Sequence, residues 1–509
     1  MRGKRALPEP AWARSRPAPR GGRAVSARIA PLVLGALFAA LPAAAEDWPQ
    51  VQHDAGHTGY TPDQPSPPFR LRWVQDIGEP TQTATQPIVA EGKIYLTTGH
   101  GNIYALDRET GKRIWRTHLG APLFASPAYW AGTVFVTSLD RRCYALSASD
   151  GRVRWRFATG EPIWAAPVVA EEKVFVGGRD GFVYALDAAS GALLWKAPIG
   201  GLVMNTPAYC KGRLYVAAGD MRVYAYDARS GKLVWRSAKI PGAAMREYWV
   251  VATERAIVLT TQLVYACHPT QEMIQQAVMN PFNERHKNDP VLVEDEVFPE
   301  LKRWYEKHPH QRTVFVLEPE RGREKFTVPV IGVNGGSCTS PPPAVAPDGW
   351  AYTMYANVWL RASGWAFFGR FNLDTGAMEP LLRDRYAPKL AHPEQWHWQP
   401  RAGTQFTRRS TFDGGFSVSD QSWGVSLGGE IAFLVRDPGH KGTAPAHNMF
   451  HIPQRLDRYL IPDVSARHRL GAYGTYGSAY HSTCSPMVIS DNDVFHKSVR
   501  SVLFAFEGS

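Results

Sequence analysis

Cysteine is scarce in this chain of 509 residues, and its few copies follow no ligand spacing. Cys143, Cys210, Cys267, Cys338 and Cys484 make neither a CxxC nor a CxxCH, which argues against a zinc ribbon and covalently attached c-type haem. The odd count leaves at least one thiol free or paired between chains. Cys338 and Cys484 lie in similar settings, Ser337-Cys338-Thr339-Ser340-Pro341 and His481-Ser482-Thr483-Cys484-Ser485-Pro486. Two buried thiols are the favoured reading, with a bridge or a metal site including His481 as alternatives. No P-loop, dinucleotide fingerprint or serine-hydrolase elbow is present. His447 and His451 have helical spacing without the Glu that a zincin places after its first His, and Pro309 spoils a helical pair of His308 and His310.

Long apolar runs are equally scarce. The one that stands out, Ile29 to Leu41, is too short for a comfortable membrane span. It follows a basic stretch ending at Arg28 and precedes Ala43-Ala44-Ala45, so residues 1–45 read as a secretory signal peptide. The expectation is a periplasmic or secreted protein, and with no Cys at the cleavage site, no lipid anchor. Net charge is also modest beyond the leader. The leader holds Lys4 and seven Arg against Glu9, so most of the formal +11 sits there and +4 remains elsewhere. A nucleic-acid partner is therefore not expected; a small molecule or a protein is.

What the sequence has in abundance is tryptophan, 17 in all, and much of it is periodic. Trp115, Trp155, Trp195 and Trp235 fall 40 residues apart, a spacing that marks a repeat architecture. Ala105-x-Asp107-x-x-x-Gly111-x-x-x-Trp115 recurs as Ala185, Asp187, Gly191, Trp195 and as Ala225, Asp227, Gly231, Trp235. The copy with Ala145, Gly151 and Trp155 has Ser147 in place of Asp. Each unit reads as four short antiparallel strands. In the second these are Ala128–Trp130, Thr133–Thr137, Cys143–Leu146 and Val153–Phe157. Asp or Ser at the turn caps its own backbone, Gly takes a positive φ, and the Trp can then lie between neighbouring sheets.

The Ala-x-Asp-x-x-x-Gly-x-x-x-Trp element resembles the tryptophan-docking motif of the pyrroloquinoline-quinone (PQQ) repeat family, whose members fold as β-propellers. Degenerate copies follow at Val316, Glu318, Gly322, Phe326 and at Asn372, Gly376. The opening Asp47-Trp48-Pro49-Gln50, with Thr58-Gly59, is similar to the start of exported members. The C-terminus ends as the third strand of a unit, and Trp73-Val-Gln-Asp-Ile-Gly78 matches the fourth strand at Trp115 and Trp155. The expected fold is all-β: an eight-bladed propeller over residues 69–509, preceded by an extension at 46–68, with the last blade completed by residues 69–78. Blades are expected near 84–117, 125–157, 165–197, 205–237, 248–327, 340–382, 416–460, and 484–509 with 69–78.

Candidate site residues gather on the face shared by the fourth-to-first and second-to-third connections. Residues 266–312 form an insertion in the fifth blade, with helices expected at Gln271–Met279 and Pro299–Lys307; it is either a lid or surface padding. Arg246 and Glu247 replace the neutral Ser-Pro, Ala-Pro or Thr-Pro approach of earlier blades. They read as a polar ligand pair or as an internal salt bridge. Trp396, His397 and Trp398 form an aromatic–histidine group, read as a stacking site or as core. Trp164, Asn205 and His481 complete the ligand-binding candidates, and no catalytic residue is assigned. The resemblance implies PQQ and Ca²⁺ as candidate cofactors, with Glu247 and Asn205 as possible oxygen ligands. The family's enzymes also carry an adjacent-Cys disulfide near the cofactor, which this sequence lacks. The leading reading is an exported binding propeller. A PQQ-dependent oxidoreductase is the alternative, and a carbohydrate-active enzyme using Arg246, His397 or His481 is a more distant one.

Overall fold

The computed structural model describes residues 47–63, 65, 70–82, 85–245, 248–264, 267–285, 294–329, 331–332, 341–357, 365–382, 416–418, 422–427, 430–436, 447–453, 488–497 and 502–508. The described residues form eight antiparallel sheets, seven of four strands and one of five. The second sheet is typical. Ala128–Trp130, Thr133–Ser138, Arg142–Ser147 and Val153–Ala158 pair in sequence order, within a residue of the expectation. The first, third and fourth sheets repeat it from Ile88, Val168 and Ala208. The seventh pairs Phe416–Val418, Ser422–Leu427, Glu430–Arg436 and His447–Pro453 in order. In the sixth, both Ile331–Gly332 and Ala344–Val345 pair with Trp350–Asn357, so this sheet begins earlier than residue 340.

Strand Arg70–Asp76 joins the far end of the chain. It pairs antiparallel with Val502–Glu507, in register Arg70↔Glu507 and Trp73↔Ala505. Ionic contacts hold this sheet to the first. Asp493 receives Arg72 and Arg108, each at 3.0 Å or closer, and Arg108 also reaches Ser490 O at 2.8 Å.

Among the described residues, six of the eight sheets are latched to the next by an aromatic ring. The indole Nε1 of Trp73, Trp115, Trp155, Trp195 and Trp235 donates to a backbone carbonyl of the following sheet: Arg108, Ala148, Ala188, Ala228 and Pro319, at 2.8–3.1 Å. Each ring covers the turn glycine of that sheet. A Cβ on Gly191 would stand 2.6 Å from Trp155, and one on Gly231 would stand 2.6 Å from Trp195. Glycine is needed there twice over, because φ is +72° at both positions. The degenerate copies keep the same geometry: Gly322 lies under Trp235, and Gly376 lies under Phe326. Each buried indole removes on the order of 200 Å² from water. The motif carboxylates do the expected work, since Asp187 Oδ1 accepts from Ser190 N at 2.8 Å and Ser190 Oγ at 2.6 Å.

Between Ile257–Thr260 and Val314–Leu317 of the fifth sheet the chain forms helices α1 (Cys267–Ile274), α2 (Asn280–Arg285) and α3 (Glu294–Lys307), with a π turn at Gln275–Met279. Helix α3 begins before Pro299, which is accommodated inside the helix. Ile274, Val278, Phe282, Phe298, Leu301, Trp304 and Tyr305 bury their side chains in one cluster with Trp249, Val258 and Val316. Among the described residues, no helix is long and apolar enough to cross a membrane.

Candidate functional site

The segments leading into the first strands differ between sheets. They are Phe124-Ala125-Ser126, Trp164-Ala165-Ala166 and Met204-Asn205-Thr206. Side chains tie each approach to its neighbour. Ser126 Oγ accepts from Gln86 N at 2.8 Å, and Thr206 Oγ1 accepts from Ala166 N at 3.1 Å. Thr97 and Thr137, at the ends of second strands, donate to Ala125 O at 2.6 Å and Ala165 O at 2.7 Å. Gly177 takes the corresponding place before Asn205 and makes room for Val203, whose Cγ1 lies 2.3 Å from where a Cβ would be.

Two features set these approaches apart. Trp164 packs on Phe124 with ring centroids 5.3 Å apart and planes at 58°, and both rings remain half-buried. On the next approach, Asn205 is 2% exposed and its Oδ1 has no hydrogen-bond partner. An unpaired buried amide oxygen costs about 1–3 kcal/mol, so it calls for a functional or structural reason. The Ala166–Thr206 bond places the aromatic pair and the amide on adjoining approaches. Of the other candidates, Arg246, Glu247, Trp396, His397 and His481 lie outside the described residues, as do Cys338 and Cys484. Cys143 and Cys210 are free thiols; burial pushes both up, Cys210 to about 11, which leaves them protonated and unreactive near neutral pH.

Carboxylates line the second-to-third turns, and each receives a tyrosine hydroxyl, although Asp220 Oδ1 is left without a partner. Asp140, Asp180 and Asp220 accept the hydroxyls of Tyr144, Tyr184 and Tyr224, the last two at 2.5 and 2.6 Å. Glu79 receives Tyr104 at 2.6 Å, Thr98 at 2.5 Å and Asn102 at 2.9 Å. Burial acts to raise the Glu79 carboxyl, yet these donors outweigh it and hold it below the ordinary range. A calcium ion takes six to eight oxygens. Among the described residues Asn205 Oδ1, Asp220 Oδ1 and Thr260 Oγ1 are buried oxygens without a partner, and no three His, Cys, Asp or Glu residues converge to hold a metal. Glu247, the other oxygen ligand expected for calcium, lies outside the described residues.

Sequence reasoning missed the part played by residues 47–63, which run along the inner strands; Tyr129 N donates to Pro49 O at 2.7 Å and Val345 N to Thr58 O at 2.7 Å. The Asp47-Trp48-Pro49-Gln50 and Thr58-Gly59 pattern was the available signal.

Four-stranded antiparallel sheets latched edge to edge by indoles on turn glycines define a β-propeller with PQQ-like repeats. Residues 70–165 and 158–274 match the family described as outer membrane protein assembly factor BamB. Over those residues the chain matches the PQQ-like repeat model. Among solved structures, a quinohemoprotein alcohol dehydrogenase from Pseudomonas putida is similar at 14% identity and TM-score 0.54, covering 91% of this chain and 80% of that one. The quinohemoprotein alcohol dehydrogenase from Comamonas testosteroni is similar at 14% identity and TM-score 0.53, covering 91% and 81%. At that identity the likeness shows the fold. No curated protein matches the sequence.

Proposed function

We propose that this chain is an exported eight-bladed propeller, closed by residues 69–78, that binds a small molecule or a protein partner on the face bearing Phe124, Trp164 and Asn205. The observation that carries this reading is the half-buried Phe124–Trp164 pair with, on the next approach, an amide oxygen held without a partner. An aromatic shelf with one directional polar group is the usual composition of a recognition site. The helical insert within 266–312 packs against the same fifth sheet as Trp249, and acts as the rim of that site. Residues 1–45 act as the export signal.

The family resemblance keeps a PQQ-dependent oxidoreductase as the second reading, although the described residues supply no calcium ligand set. Thermal-shift titrations of the purified chain separate the two. PQQ with Ca²⁺ is expected to leave the melting temperature unchanged. Within a panel of neutral sugars and peptides, a stabilising ligand is expected whose shift is lost in both Trp164→Ala and Asn205→Leu. A shift retained by both variants would place binding elsewhere, and stabilisation by PQQ with Ca²⁺ would move the conclusion to the oxidoreductase.

A further inference from the structure

Residues 47–63 form no strand of any sheet, yet they bond to the first strands of six sheets and to the turn after the first strand of a seventh. Trp48 exchanges backbone hydrogen bonds with Val89 at 2.8 and 3.0 Å, and Tyr129 N donates to Pro49 O at 2.7 Å. Gln50 closes a side-chain ring on Val169, accepting its N–H at 2.8 Å and donating to its carbonyl at 3.0 Å. After a turn, Tyr209 N donates to Ala55 O at 2.7 Å, Ala252 N to Gly56 O at 2.8 Å and Val345 N to Thr58 O at 2.7 Å. Asp491 N reaches Asp63 Oδ2 at 2.5 Å. Val89, Tyr129, Val169 and Tyr209 are one position in successive repeats, the middle of the innermost strand. That strand is a sheet edge, and an edge carries N–H groups that require acceptors. One extended segment supplies them.

The docked segment is also strained. Gln52, His53 and His57 hold φ at +55°, +76° and +58°, a region that non-glycine residues avoid. Trp48 Nε1, Gln52 Nε2 and His57 Nε2 are buried without partners, and so are Trp249 Nε1 and Asn205 Oδ1 on the facing approaches. His57 Nδ1 bonds the carbonyl of Val250 at 2.9 Å, so in the neutral ring Nδ1 carries the proton and Nε2 is an acceptor left unmet. The strain would relax, and the unmet groups find water, once the segment left the inner strands.

We propose that residues 47–63 are a releasable plug, an internal peptide ligand that closes the inner edges in cis and leaves them without unfolding any sheet. The four-stranded ladders do not include it, so its departure breaks none of their pairings. Departure uncovers N–H donors at matching heights on neighbouring inner strands, the edge to which an extended polypeptide adds. The plug lies along the inner strands themselves and does not depend on the aromatic shelf serving as a binding site.

Hydrogen exchange on the full chain tests this. The amides of Val89, Tyr129, Tyr209 and Ala252, bonded to the plug, are expected to exchange together, at least about tenfold faster than amides inside the second and third strands. In a second arm, a protease site placed within residues 64–69 is cut after folding. A labelled synthetic peptide of residues 47–63 is then expected to replace the resident segment one for one while the chain stays folded. Exchange of the four amides only together with the strand interiors would overturn the proposal. So would a resident segment that yields to the peptide only under denaturing conditions.

Discussion

Replacing Gly191 by Ala isolates the energy of one inter-sheet latch. The new methyl would meet three ring atoms of Trp155 at 2.6–2.9 Å, and φ at this residue is +72°. A left-handed alanine costs about 1–2 kcal/mol by itself. Overpacking against the indole adds about 1–3 kcal/mol, because the ring is also fixed by its bond to Ala188 O and cannot retreat freely. Gly92 is the internal control, with φ at +68° and nothing within 4 Å of its would-be Cβ. Gly92→Ala should therefore carry the backbone cost alone. Equilibrium urea unfolding of the two variants reads the difference as a shift in midpoint at unchanged slope. Gly191→Ala is expected to be the more destabilised by about 1–3 kcal/mol. Truncating the ring in the Trp155→Ala/Gly191→Ala double variant should make the glycine change cheaper, a coupling expected only if the two sites touch. Equal losses for Gly191→Ala and Gly92→Ala would refute the latch.

Asp493→Asn leaves Arg72 and Arg108 without their shared carboxylate, and is expected to cost about 3 kcal/mol, measurable by the same urea titration. Burial, with a smaller opposing contribution from the Val250 carbonyl, lowers the pKa of His57 from its usual value to about 4. The unfolded chain takes up this proton near pH 6.5 while the folded chain resists it. Stability is therefore expected to fall as pH drops from about 6.5 to about 4, by up to about 3 kcal/mol. In His57→Asn, which keeps a donor towards Val250 and tolerates positive φ, the pH–stability curve over that window should flatten. An unchanged curve would mean that His57 is not the group responsible.

The first four sheets were legible because their determinants are side chains. Asp or Ser at the turn, Gly at positive φ and Trp at the latch recur at a fixed spacing that a single sequence displays. The later sheets were harder to see because the pattern weakens there: Phe326 keeps the ring over Gly376 but has no indole N–H to donate. The early start of the sixth sheet at Ile331 had no turn signal of its own. The plug was illegible for another reason. Most of its bonds use carbonyls of Trp48, Pro49, Ala55, Gly56 and Thr58, and a backbone oxygen leaves no mark on residue type. Of the candidate site, Trp164 and Asn205 fall on adjoining approaches, and it took the structure to show that Gly177 removes the hydroxyl that would have matched the Thr97 and Thr137 contacts.

The pairing of the two ends of the chain is tested most directly by a cross-link. Arg70 and Glu507 are register partners on adjacent strands, with Cα atoms expected about 4.5–5.5 Å apart. In the Arg70→Cys/Glu507→Cys variant, oxidation is expected to give an intramolecular disulfide, seen by mass spectrometry as one linked peptide pair from a monomer. Two thiols that remain free, or that link only between molecules, would contradict it.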